Sequence, residues 1–188
     1  MPSGPRPERS ERRLVRAAKR GSREAFEELF RMHWARAHRT AFLIVRDGAA
    51  AEDIAQESFV AALRHLDRFD GRRPLGPWLN RIVVNRAIDW TRTRRLRAEV
   101  GAEPWLDDRR EAAVEGPDSR AEQVPAPLMD ALGRLSPERR AVVVMRYLLD
   151  YTPSEIADAL ELPTGTVNSR LRRALDQLGA EYGEAAGG

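Results

Sequence analysis

The chain has 188 residues, a formal net charge of +3 and no cysteine. That length suits one large domain or two small ones. The missing cysteine excludes disulfides, thiolate zinc sites and a cysteine nucleophile, and no apolar run reaches the ~20 residues that span a bilayer. The polar, Arg-rich start lacks the apolar core of a secretory signal, so a cytoplasmic protein without membrane insertion is expected. Arginine supplies 31 of the 32 basic residues. Guanidinium forks suit phosphates and base edges, but GC-rich coding is the better explanation of an Arg-, Ala- and Gly-rich composition.

In chain order, residues 1–20 carry +5, and 1–21 read as a basic, disordered N-terminal arm. A first helical unit is expected over 22–97. Phe26, Leu29, Phe30, His33, Ala37, Ala41 and Ile44 recur at helical spacing, which buries one face. Asp47-Gly48 is expected to stop that helix. A second helix spans about 50–66, with Ala55, Phe59, Ala62, Leu63 and Leu66 turned inward and Glu52, Asp53, Gln56 and Glu57 on another face. The loop Asp70-Gly71-Arg72-Arg73-Pro74-Leu75-Gly76-Pro77 follows, and Trp78 opens a third helix to about Arg97. Leu79, Val83, Ala87 and Trp90 form its apolar face, while Arg81, Asn85, Asp89 and Arg92 make one polar stripe. Residues 78–97 carry +5, although 21–77 are neutral.

Residues 98–127 carry −5 and contain Pro104, Gly116, Pro117, Pro125 and Pro127. With no sustained apolar period they read as a flexible acidic linker, Trp105-Leu106 being its single apolar spot. A basic block followed by an acidic one suits a polyanion in its first part and repels one in its second.

A second helical unit is expected over 128–182, followed by a short tail, 183–188. Ser136-Pro137 is an N-cap followed by proline at the first helical position. Thr152-Pro153-Ser154-Glu155 is a capping box. The short helix it opens ends near Leu160, Glu161-Leu162-Pro163 turns the chain, and Thr164 is placed to cap a last helix that buries Val167, Leu171, Leu175 and Leu178. Val142-Val143-Val144 is β-prone, but helix signals flank it. The fold class is therefore all-α, as two small helical domains joined by the linker.

A short helix, a tight turn and a longer amphipathic helix make a helix-turn-helix plan, and Ile156, Ala157, Leu160, Leu162, Val167 and Leu171 have the spacing that packs such a pair. Its second helix can enter a major groove. Asn168 and Arg172 suit bidentate contacts with adenine and guanine, and Thr166 and Ser169 suit phosphates. A plain helical hairpin with a solvated face is the blander alternative. The −2 charge of residues 128–188 argues against tight DNA binding by this unit alone, since nonspecific affinity follows the phosphates neutralised.

Two sets of motifs resemble the bacterial RNA polymerase sigma-70 family, in its short extracytoplasmic-function (ECF) type. Ala51-Glu52-Asp53-Ile54-Ala55-Gln56-Glu57-Ser58-Phe59 and Trp78-Leu79-Asn80-Arg81-Ile82-Val83-Val84-Asn85-Arg86-Ala87-Ile88-Asp89 resemble sigma region 2. Leu135-Ser136-Pro137-Glu138-Arg139-Arg140, Glu155-Ile156-Ala157 and Gly165-Thr166-Val167-Asn168-Ser169-Arg170-Leu171 resemble region 4. The resemblance implies a sigma factor that binds core RNA polymerase and directs promoter recognition, melting and transcription initiation. Asp53, Gln56 and Glu57 would dock on the clamp of the polymerase's largest subunit, and region 4 on the flap of the second. Arg72, Arg73, Asn80, Arg81, Asn85, Arg92, Arg94 and Arg95 would serve the minus-ten element, and Thr166, Asn168, Ser169, Arg172 and Arg173 the minus-thirty-five element. The resemblance implies that the Asp70–Pro77 loop would hold a flipped base, and melting needs stacking or pocket contacts for unpaired bases and cations along the backbone, with no catalytic group. Trp78 and Trp90 are tempting stacking residues, but their phase with Leu79 and Val83 favours core packing. The acidic linker would thread towards the RNA exit channel, as a mimic of RNA or as a simple tether. An anti-sigma factor is an implied partner.

Three features depart from the family pattern. Glu161 occupies a turn where glycine is common, Arg72-Arg73-Pro74 makes the recognition loop basic and stiff, and the N-terminal arm has no counterpart. With only the short tail 183–188 at the end, sensing is expected to come from another protein or from control of expression. The competing reading is a stand-alone helix-turn-helix DNA-binding regulator, which leaves the loop and helix of the first unit without a task. An enzyme is the remote option. His33, His38 and His65 lack metal-ligand spacing, Asp107-Asp108 lies in the linker, and no Gly-rich phosphate loop occurs. No catalytic residue, metal site or cofactor is therefore assigned.

Overall fold

A computed structural model describes residues 9–99 and 126–186, so most of the expected linker, Trp105-Leu106 included, lies outside the described residues. The helices are α1 (Arg9–Lys19), α2 (Arg23–Val45), α3 (Gly48–His65), a 3-10 turn (Leu66–Arg68), α4 (Leu75–Glu99), α5 (Ala126–Arg134), α6 (Pro137–Tyr147), α7 (Pro153–Leu160) and α8 (Thr164–Ala186). Among the described residues there is no strand.

Part of the arm read as disordered is helical. Glu11, Val15 and Ala18 fall on one face of α1 and are buried, so an amphipathic period was present beneath the arginines. That face packs on Leu29, Leu66, Phe69 and Leu75. Ser22 then caps α2, its hydroxyl accepting the Ala25 N–H at 3.2 Å. The end of α2 differs from expectation. Arg46 adopts the left-handed conformation (φ 58°) and donates its N–H to Phe42 O at 2.7 Å. Asp47-Gly48 starts α3 instead, because the Asp47 carboxylate accepts the Ala50 N–H at 3.0 Å. The next turn is shorter than expected as well. Helix α4 begins at Leu75, and Pro77 sits in its first turn, where a missing N–H costs no helical hydrogen bond.

Helices α2, α3 and α4 bury Ala37, Ala41, Ile44, Ile54, Phe59, Leu79, Val83 and Ala87 between them. Helices α5 to α8 bury Leu132, Val142, Val144, Met145, Ile156, Val167 and Leu171. These two interiors form one continuous apolar cluster. Two expected core residues are exposed instead of buried: Leu63 is 48% exposed and Leu175 43%. Each is one step off the buried phase; α8 turns Ala174 inward in place of Leu175.

Arg140 joins the units. It is 7% exposed, and its guanidinium donates to Ile44 O of α2 at 2.5 Å and to Gly133 O and Leu135 O at 3.0 Å each. Burial, with the nearby Arg46 charge, pulls its pKa down to about 10, so it stays charged at neutral pH. The sequence reading used Arg140 only as a motif letter. A charged residue directly before the run Ala141–Met145, all buried, was the available signal.

Candidate nucleic-acid interface

Helix α7 and the first half of α8 build the helix-turn-helix. Thr152 and Glu155 close the capping box reciprocally: the Thr152 hydroxyl accepts the Glu155 N–H at 3.3 Å, and the Glu155 carboxylate accepts the Thr152 N–H at 2.8 Å. Glu161 ends α7 in the left-handed conformation (φ 54°) with its N–H on Ala157 O. This is the strained position that glycine occupies without a Cβ penalty. Thr164 is the first residue of α8 rather than its cap, since Pro163 O accepts the Thr166 and Val167 N–H groups at 2.9 and 3.2 Å. Val167 and Leu171 anchor α8 inward, leaving Asn168, Arg172 and Arg173 exposed on its outer side. Thr166 and Ser169 are half-buried, and the Ser169 hydroxyl donates to Thr166 O at 2.9 Å. All five expected minus-thirty-five residues thus share the first half of one helix.

Helix α3 presents Glu52, Asp53, Gln56 and Glu57 to solvent, while Ile54, Ala55, Ser58 and Phe59 face inward. Gln56 donates to Glu52 at 3.1 Å, and Glu57 pairs with Arg86 of α4 at 2.6 Å. Asp53 and Gln56 leave an acidic, polar patch bordered by the exposed apolar side chains of Val60 and Leu63, which suits a basic partner with an apolar rim.

The expected minus-ten residues divide into two sets. In the turn before α4, Asp70 accepts the Arg72 N–H at 3.0 Å, which holds its carboxyl below the ordinary range. That bond stiffens the turn and leaves the Arg72 and Arg73 side chains exposed. Further along α4, Arg94 pairs with Asp47 at 3.3 Å and lies 5.0 Å from the centroid of the Trp90 ring, while Arg95 is exposed. Arg81, Asn85 and Arg92 instead meet the second unit. Arg81 pairs with Glu161 at 2.7 Å, Asn85 donates to Ala159 O at 3.4 Å, and Arg92 pairs with Glu138 at 3.4 Å.

Asn80, expected along the strand, is 3% exposed and lies in the seam, hydrogen-bonded to Tyr151. Tyr151 donates to Pro77 O at 2.9 Å, and burial pushes its pKa up to about 12. The seam residues Glu138, Tyr151 and Glu161 were not found by sequence reasoning, because no local pattern marks partners 46, 74 and 80 positions away. Trp78 packs between the cores with its ring 4.9 Å from Phe69, and Trp90 is half-buried.

A bundle with an acidic outer helix, joined to a helix-turn-helix with an open reading face, defines a two-part DNA-reading protein. The family models agree with that class. "Sigma-70 region 2" matches residues 29–97 and "Sigma-70, region 4" matches 126–178. The chain belongs to the sigma-70 family, in its ECF branch, whose members are regulatory proteins rather than enzymes. It is 37% identical to the ECF RNA polymerase sigma factor SigM of Mycobacterium tuberculosis, over 93% of this chain and 86% of SigM. Its fold is similar to CnrH, solved in complex with the cytosolic domain of CnrY, with a TM-score of 0.63, 27% identity and coverage of 91% of this chain and 96% of CnrH. It also shares the fold of RpoE from Bartonella quintana, solved with the anti-sigma factor NepR, with a TM-score of 0.63, 20% identity and coverage of 84% and 96%. Among the described residues no helix is long and apolar enough to cross a membrane.

Proposed function

We propose that this chain acts in the cytoplasm as a dissociable specificity subunit of RNA polymerase and catalyses no reaction itself. Core polymerase binds the α3 face of Asp53, Gln56 and Glu57, and its flap binds the second unit. The turn carrying Arg72 and Arg73, with α4, handles the minus-ten strand, and α8 reads the minus-thirty-five duplex through Asn168, Arg172 and Arg173. The observation that carries this reading is the open first half of α8, with two guanidinium groups and an amide exposed on a helix anchored by Val167 and Leu171. The acidic face of α3 gives the same chain a second surface of opposite character.

Arg81, Asn85 and Arg92 cannot hold Glu161, Ala159 O and Glu138 and also a DNA strand. The docked arrangement is therefore the resting form, and promoter engagement parts α4 from α6 and α7. Similarity to CnrH, solved with the cytosolic domain of another protein, supports a protein partner for this chain too, and the family resemblance makes an anti-sigma factor the expected one. Run-off transcription tests the reading. Core polymerase with this chain is expected to initiate at promoters that core alone leaves silent. No new start site, or tight specific duplex binding by the chain alone at physiological salt, would favour a free-standing regulator instead.

A further inference from the structure

Helix α1 precedes the residues matched by either family model, and no role above uses it. Arg12, Arg16 and Lys19 stand at i, i+4 and i+7 on this helix, so they share one side. With Val15, Asp70 and Arg72 they line an open cleft of about 360 Å³. Two of these cations hold the turn at the mouth of the cleft by its backbone. Lys19 donates to Asp67 O at 3.1 Å and Phe69 O at 2.5 Å, and Arg12 donates to Arg72 O at 3.4 Å. The other face of α1 is tied down separately, since Glu11 is 7% exposed and meets His33 Nε2 of α2 at 2.9 Å.

The electrostatics of this cleft are unbalanced. Its single carboxylate, Asp70, is already engaged by the Arg72 N–H and, at 3.4 Å, by the Arg72 guanidinium. Arg12 Nε is buried without a hydrogen-bond partner among the described residues. Arg16 is exposed and spends one donor on Arg12 O at 3.3 Å. A buried donor without a partner is costly, and a fork of guanidinium groups complements a phosphate. Because the cleft is open and its cations are fixed to the turn that carries Arg72, it suits a chain that passes through rather than an enclosed small molecule.

We propose that this cleft is a backbone-phosphate site for the unpaired promoter strand, at the nucleotides adjoining the base held by the 70–74 turn. Arg12 and Arg16 supply the contacts. This rests on the reading of that turn as the part that handles the minus-ten element. The contact is to backbone, so it adds affinity at every promoter and no sequence preference.

The test uses holoenzyme reconstituted from core polymerase and the full chain. Its probe is the single-stranded non-template minus-ten segment of a promoter that the holoenzyme uses in run-off transcription. A set of these oligonucleotides carries one uncharged methylphosphonate linkage each, at successive positions. Native holoenzyme is expected to lose affinity when one or two linkages beside the held base are neutralised. Arg16→Gln is expected to bind the unmodified strand several-fold more weakly and to become insensitive to neutralisation at that same linkage, the signature of a coupled pair. Its log-affinity against log-salt slope should fall by about 0.7, one single-strand phosphate contact. Arg16→Lys should restore both the slope and the sensitivity. Unchanged affinity and slope in the Arg12→Gln, Arg16→Gln double variant, or a loss independent of which linkage is neutralised, would overturn the cleft while leaving the minus-ten reading intact. A native holoenzyme that initiates but does not bind the strand would overturn both.

Discussion

Replacing Arg140 with methionine measures how the two units are held. Its guanidinium makes three hydrogen bonds to carbonyls, one of them across to α2 and two within α5 and the turn that follows it. Methionine keeps much of the apolar stem and leaves Ile44 O, Gly133 O and Leu135 O without that donor. Hydrogen bonds to a charged group are each worth about 1.5–3 kcal/mol. Against them stands the desolvation of the guanidinium, whose fall from the usual 12.5 to about 10 corresponds to about 3 kcal/mol. The net expected loss is about 3 kcal/mol, a large share of the 5–15 kcal/mol of a typical domain. Urea denaturation followed by tryptophan fluorescence should show a lower midpoint at similar slope, and small-angle scattering in native buffer should show a larger radius as the seam opens. Arg139, which donates to Gln177 at 3.2 Å from a half-buried position, is the control, and its methionine variant should change far less. A midpoint for Arg140→Met equal to the native one would refute the reasoning, because three buried carbonyls would then have lost their partner at no cost.

Four further outcomes follow from the geometry. Arg172→Ala should weaken binding to the upstream element by about 1–3 kcal/mol if it forks a guanine, and relax preference at that base pair alone; a uniform loss on every sequence, seen in gel shifts of holoenzyme, would mean a phosphate contact instead. Asp53→Ala should weaken holoenzyme assembly several-fold in a core-polymerase titration, equally for all promoters, and an effect confined to some promoters would count against a polymerase contact. At position 161, glycine should be more stable than alanine by about 1 kcal/mol in thermal melts, because only glycine adopts φ 54° freely; equal stability would remove the strain argument. His38 is half-buried, and its desolvation, partly opposed by the Glu52 charge, lowers its pKa from the ordinary 6.5. The unfolded chain therefore takes up this proton first, so stability present above pH 6.5 should fall on acidification below it. His38→Gln should flatten that limb of the stability–pH curve, and an unchanged limb would assign it to other groups.

Much of the fold was legible because it rests on local rules. Ser136 and Thr152 accept the N–H groups that a helix start leaves without partners, and they cap α6 and α7 as their positions indicate. The misses share a cause. Leu63 and Leu175 are apolar and sit beside a buried stripe, but a helix face admits only the residues in phase. Asp47-Gly48 carries stop and start signals together, and the hydrogen bonds of Arg46 and Asp47 decided between them. Helix α1 was hidden by charge, since Arg9, Arg12, Arg13, Arg16 and Lys19 make the segment look solvated until Val15 and Ala18 meet Leu29 and Phe69.

The residue pattern by itself determined the all-helical class, the helix-turn-helix with its open reading residues, the acidic face of α3 and the resemblance that led to the family. Each depends on spacings of three, four or seven residues, which helical geometry converts directly into shared faces. Only the tertiary structure decided which polar residues stand free and which hold the molecule together. Arg81, Asn85 and Arg92 lie in the same stripe as their sequence spacing demands, yet they meet Glu161, Ala159 O and Glu138. Arg140 lies buried in the seam against Ile44, and α1 brings Arg12 and Arg16 beside a turn about 55 positions further on. Helical periodicity gives direction around one axis. Which axis faces which is settled by packing of whole faces, and no local spacing encodes it.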